Sequence, residues 1–283
     1  MNSIIAADTL HTAVDTLKRA GGNDSGWILH HIMDGRELDF MPFGSIHIPQ
    51  FPLLFGIDIT PTKHIIFMWL AALLVLITFK VVARSYKKSL VPKGFANFFE
   101  VFIVFVRDEI AKQTIGKGYE AFVPFLLSLF FFILFGNFLG LVPWSSTFTS
   151  NIAATAGLAI ISFFAIQIGG IKQNGFFGYF KGLIPHGIPA GFIPLMALVE
   201  FLGLFTKPFA LCIRLFANMI AGHTVIFALL GLIFFMGSAF VGVVAVPFAL
   251  FIYLLEILVA LIQAYIFTIL TSLFIGMAVH QEH

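Results

Sequence analysis

Charge is what this 283-residue chain has least of: Asp, Glu, Lys and Arg make up only 11%, against about 25% in a soluble protein. With hydrophobic residues at 59%, that scarcity excludes a water-soluble domain. Cysteine is all but missing. Cys212 stands alone, so no intrachain disulfide can form and the redox compartment is not readable. Residues 1–20 lack a positive start followed by an apolar core, so no conventional signal peptide is expected. HExxH and nucleophile motifs are absent, which argues against an intramembrane hydrolase; no repeats or low-complexity tracts are seen, and the chain is not expected to be an enzyme on its own. No cofactor, metal or nucleic-acid partner is expected.

What is present is a series of apolar runs, several of them reaching the roughly 20 residues needed to cross a bilayer. A β-barrel would show short alternating segments instead. The expected class is an all-α polytopic membrane protein with five transmembrane helices and one interfacial amphipathic helix. Residues 1–63 form an acidic extension outside the membrane, carrying Asp8, Asp15, Asp24, Asp34, Glu37, Asp39 and Asp58 against Lys18, Arg19, Arg36 and Lys63. Within it His30, His31 and Asp34 have the spacing of metal ligands on one helical turn, although ordinary surface groups show the same spacing.

The membrane domain, 64–283, begins with a span over 64–82. The cations Lys80, Arg84, Lys87, Lys88 and Lys93 come next without an intervening acid, which by the positive-inside rule puts that end in the cytoplasm and the N-terminus outside. Residues 95–115 repeat Phe98, Phe102, Phe105 and Val106 at helical spacing, interrupted by Glu100, Arg107, Asp108, Glu109 and Lys112. That pattern suits a helix lying along the interface. Further spans are expected over 122–142 and 152–171. A long run over 190–236, bent near Pro208 or strongly tilted, precedes a turn at Gly237 and Gly242. The last run, 243–279, is also long and tilted and ends inside.

The stretch Glu200–His223 concentrates the chemistry. Glu200, Lys207, Arg214, Asn218 and His223 interrupt a run that is otherwise mostly apolar. A permanent cation such as Arg214 costs from roughly 3 to over 10 kcal/mol in a bilayer, so it requires a partner, a water cavity or a working surface. At about 100° per residue, Lys207, Glu200 and Asn218 fall on the Arg214 side with Gly203, Ala210, Ala217 and Ala221. Small residues let another helix come close in lipid. His223 points the opposite way. Glu256 and Gln263 share a face of the last run, and antiparallel packing would set His223 level with Glu256 and Arg214 near Gln263.

Plainer readings exist for several of these groups. Asn218 and Gln263 could be interhelical hydrogen bonds, His223 and Glu256 a structural pair, and Lys207 a snorkelling side chain. Together they resemble two polar half-paths separated by an arginine. Arginine does not deprotonate in proteins, so it cannot relay a proton. It can hold the carboxylate of a moving partner ionised, because an adjacent cation lowers a carboxyl pKa.

At GNFLGLVP (136–143), TSNIAATAGLAI (149–160), PFALCIRLFANMIAGH (208–223) and LLEILVALIQAYIFTILTSLFIGMA (254–278) the chain resembles the a subunit of F-type ATP synthases. The likeness covers roughly residues 60–283. It implies that Arg214 is the family's essential arginine, facing carboxylates of a rotating c-ring. It also sets Asn218, His223, Glu256 and Gln263 on channel positions. In the family, His or Glu at the His223 position goes with the complementary type at the Glu256 position. The implied partners are the c-ring, a b-type peripheral stalk and, through them, the catalytic head. The implied setting is an energy-transducing membrane such as a bacterial inner membrane, with protons as the coupling ion. A self-contained channel or secondary transporter is the alternative, but it should show an internal repeat and a site of its own.

Overall fold

In the computed structural model the described residues are 37–39, 45–47, 60–88, 94–142, 147–182, 192–236 and 239–280. His30, His31 and Asp34 lie outside them, as does most of the acidic extension. Among the described residues no group of His, Cys, Asp and Glu could hold a metal ion. In the extension, β1 (Glu37–Asp39) pairs antiparallel with β2 (Ser45–His47), Leu38 opposite Ile46. Every other described element is a helix. Five are long and apolar enough to cross a membrane, so the protein is an all-α polytopic membrane protein.

The chain divides into two compact units. One holds residues up to Lys63 together with Ile220–Glu256, and the other His64–Met219 together with Ile257–His283.

All of α1 (Lys63–Lys88) after its first residue belongs to the second unit. Next comes α2 (Phe95–Val104), which runs through a π-helical stretch, Phe105–Ala111, into α3 (Lys112–Ile115). Of the apolar residues Phe98, Phe102, Phe105 and Val106, Val106 is buried in the core and Phe102 packs against it. Phe98 and Phe105 are exposed, whereas Phe99, Val106, Ile110 and Ile115 are buried. Residues on the two sides of a π turn do not keep the 3.6-residue phase. Within that stretch the neighbours Arg107 and Asp108 pair at 2.8 Å, and the Arg107 hydrogen bonds hold the Asp108 carboxyl below its usual range. Gly116 and Gly118 then turn the chain with positive φ, a conformation that side chains with a Cβ rarely adopt.

The spine of this unit is α4 (Val123–Leu141), which starts with Pro124 in its first turn, where the missing N–H is harmless. Phe79, Phe99, Phe130 and Phe135 pack around Phe131 with ring centroids 5.3–5.9 Å apart. In lipid such dispersion contacts, rather than water exclusion, hold helices together. Two glycines cut a notch into α4. A Cβ on Gly136 would strike the Phe148 ring, and one on Gly140 the Thr147 side chain. The 3₁₀ turn Phe148–Ser150 seats in that notch. There Thr149 Oγ1 donates to Asn137 Oδ1 at 2.9 Å, and Asn137 Nδ2 reaches the Ala260 carbonyl at 3.4 Å.

Asn151 caps α5 (Ile152–Asn174) by accepting from the Ala153 N–H. A short helix not expected from the sequence, α6 (Phe176–Lys181), comes after it. The two long helices are α7 (Ile193–Met236), unbroken through Pro208, and α8 (Ala239–Val279), which contains Pro247. The turn expected to reach Gly242 is shorter, since α8 has already begun at Ala239. A Cβ on Gly242 would meet only Ile233, at 3.7 Å, so the close approach there is compatible with regular helix. At the other end of α8, Asn174 Nδ2 donates to the Ala278 and Val279 carbonyls at 3.0 and 3.2 Å. The last four carbonyls of a helix are those that such outside donors can satisfy.

Candidate functional site

The polar residues of α7 and α8 fall into both units, and each group has its own geometry. In the unit containing Ile220–Glu256, His223 Nδ1 lies 2.5 Å from Glu256 Oε1, with side-chain exposures of 17% and 3%. The approach is of ion-pair length but lacks hydrogen-bond alignment, and neither Glu256 oxygen has an aligned hydrogen bond among the described residues. An acid and a base this close can exchange a proton with little motion. Gly222 makes the approach possible, because a Cβ there would come within 2.7 Å of Glu256 Oε1. Phe227 covers the His223 ring at 6.5 Å between centroids.

In the other unit, Asn218 Nδ2 donates to Gln263 Oε1 at 2.9 Å. Gln263 is 1% exposed, and its Nε2 has no hydrogen-bond partner among the described residues. Buried unpaired polar atoms are uncommon, and each requires a reason. Gln263, which the antiparallel reading set near Arg214, thus spends its carbonyl on Asn218. Thr268 Oγ1, one turn on, donates to the Ala264 carbonyl at 2.8 Å. Lys207 Nζ sits 5.3 Å over the Phe274 ring, a cation–π contact. Glu200 is half-buried.

Arg214 is exposed, and among the described residues none hydrogen-bonds or ion-pairs with its guanidinium. Its helical neighbours differ sharply by side. Leu211, Leu215 and Met219 are buried, while Ala210, Ala217 and Ala221 are exposed. The cation therefore stands on a face of small side chains turned away from the chain's own core.

The sequence gives no hint of the role of Gly222, and the signal that could have revealed it is weak: a glycine beside a polar intramembrane residue. The Thr149–Asn137–Ala260 link was likewise not foreseen. Thr155 Oγ1 and Cys212 Sγ, 3.4 Å apart, form a third polar contact inside an apolar setting.

Comparison with known proteins places the chain among relatives. The ATP synthase A chain family matches residues 65–276. An ATP synthase subunit a from Chloroherpeton thalassium is 53% identical over 259 residues, covering 90% of this chain and 77% of that protein. One from Pelodictyon phaeoclathratiforme is 45% identical over 287 residues, covering 99% and 84%. Another bacterium, Anaeromyxobacter sp., has an ATP synthase subunit a that is 47% identical over 292 residues, covering 90% and 71%. With most of its length inside that match and relatives this similar, the chain belongs to the ATP synthase A chain family.

Proposed function

We propose that the chain is the proton-conducting stator of an ATP synthase membrane sector, with Arg214 as the barrier between two offset half-channels. Family membership carries the coarser statement: a multi-pass subunit of the ATP synthase complex, engaged in proton transport and ATP synthesis. The chain is not an enzyme on its own in this reading. The finer one rests chiefly on Arg214, a permanent cation exposed on an alanine-lined face with no intrachain ion pair among the described residues.

A carboxylic acid carried past such a face by a rotor ring must ionise beside the guanidinium, because the nearby cation stabilises the carboxylate. Its proton leaves into one half-path, and the carboxylate regains a proton from the other once it has moved on. Because arginine keeps its own protons, none passes directly between the halves. His223 and Glu256 supply the titratable pair of the outer half-path in this scheme. Asn218 and Gln263 flank the carboxylate's passage, and Lys207 and Glu200 mark the inner approach. The membrane potential contributes about 2.3 kcal/mol per charge per 100 mV. The partners are the ring of c subunits, the b-type stalk that holds this chain still, and the catalytic head through them. The setting is a bacterial inner membrane, N-terminus outside.

The deciding experiment uses Arg214→Ala in the complete complex, reconstituted in vesicles. ATP-driven proton uptake is expected to vanish while the complex still assembles and hydrolyses ATP. Normal uptake would overturn the assignment.

A further inference from the structure

The outward face of α1 has a composition that the proton path does not use. At about 100° per residue, Ala71, Val75, Thr78 and Val82, all buried, fall on one side of the helix. Lys80, Arg84 and Lys87 fall within about 60° of one another on the opposite side. All three are exposed, and among the described residues none takes part in an ion pair or hydrogen bond. Directly above them on the same face stand Trp69, Leu73 and Leu76, exposed by 61%, 51% and 67%. One continuous outward stripe is therefore apolar for three turns and cationic for the next two.

We propose that this stripe is a binding site for an anionic phospholipid. Trp69 to Lys80 spans about 16 Å at 1.5 Å per residue, close to half of a roughly 30 Å hydrocarbon core. That is the depth of one leaflet. An acyl chain lies against Leu76, Leu73 and Trp69, and the lipid phosphate meets the cations below. Arg84 can grip phosphate oxygens in bidentate fashion while Lys80 and Lys87 supply point charges. A zwitterionic lipid carries an ammonium that these cations repel, so net negative charge decides the preference. Three cations at i, i+4 and i+7 present a single cluster to one headgroup, where the positive-inside rule alone asks only for cations somewhere near the membrane surface. Hydrophobic matching alone would not select among headgroups.

The test uses the assembled complex in nanodiscs holding equal phosphatidylglycerol and phosphatidylcholine, stripped stepwise with mild detergent, with retained lipid counted by native mass spectrometry. The natural complex is expected to keep phosphatidylglycerol preferentially. Each single neutralisation (K80Q, R84Q or K87Q) is expected to weaken that retention about fivefold, with proton pumping unchanged. Retention that is equal for the two lipids, or unaffected by the substitutions, overturns the proposal. A second arm leaves every charge in place: Leu76→Cys carrying a photoreactive thiol label. A lipid adduct on irradiation supports the site, whereas an adduct to another subunit shows that a protein covers the stripe and overturns it.

Discussion

At the scale of single residues, Glu256 and His223 pose the sharpest energetic question. A buried carboxylate without hydrogen bonds is costly, yet Glu256 is 4% exposed and has only the His223 ring within ion-pair distance among the described residues. Such an arrangement is tolerated when the two groups share one proton or one charge pair, so that each depends on the other. Exchanging them tests this dependence. His223→Glu alone leaves two carboxyl groups facing each other, and Glu256→His alone leaves two imidazoles. Each single swap is expected to lower ATP-driven proton uptake by about 100-fold, in the range for losing a positioned acid or base. The double exchange should retain more uptake than either single variant. Additive losses in vesicle pumping assays would show that the two groups act separately. The contact itself was foreseeable, because antiparallel packing of two polar-bearing helices aligns these positions. Gly222 was not, because only the tertiary approach reveals which glycine lies under the carboxylate.

At the scale of elements, the spans could be read from the sequence because length and apolarity alone define them. The faces of those spans could not always be. The π-helical stretch Phe105–Ala111 breaks the 3.6-residue phase between the residues before and after it, and ahead of it Phe99 rather than Phe98 joins the core. The polar links between elements also depend on register. Thr114 Oγ1 and Ser272 Oγ lie 2.5 Å apart, and the Thr114 carbonyl sits where a Cβ on Gly276 would project. Backbone cannot step aside as a flexible side chain can, so Gly276→Leu must push α3 and α8 apart. We expect a loss of about 1–3 kcal/mol or more, the usual cost of overpacking. It should appear as a lower midpoint in thermal unfolding of the detergent-solubilised complex. Ala in place of the exposed Met277, one residue away, should leave the midpoint unchanged. Equal effects at the two positions would mean that the glycine does not set this approach.

At the scale of the whole molecule, the described residues hold five helices long and apolar enough to cross a membrane; in the proposed reading each crosses once, and an odd number sends the two ends of the membrane domain to opposite sides. In that reading the basic cluster at the end of α1 marks the cytoplasmic side. A cysteine introduced at His283 is expected to react with membrane-impermeant maleimide only in inside-out vesicles, and one at Asn2 only in right-side-out vesicles. The reverse pattern would overturn the orientation. The experiment has a quiet background for a reason already visible in the packing. Cys212 is 6% exposed and its sulfur rests beside Thr155, within a helix that crosses the membrane. A water-borne thiol reagent meets nothing to react with on the native chain, so every new thiol reports its own address alone. By keeping a single cysteine out of water, the protein is ready for site-by-site labelling without first being altered.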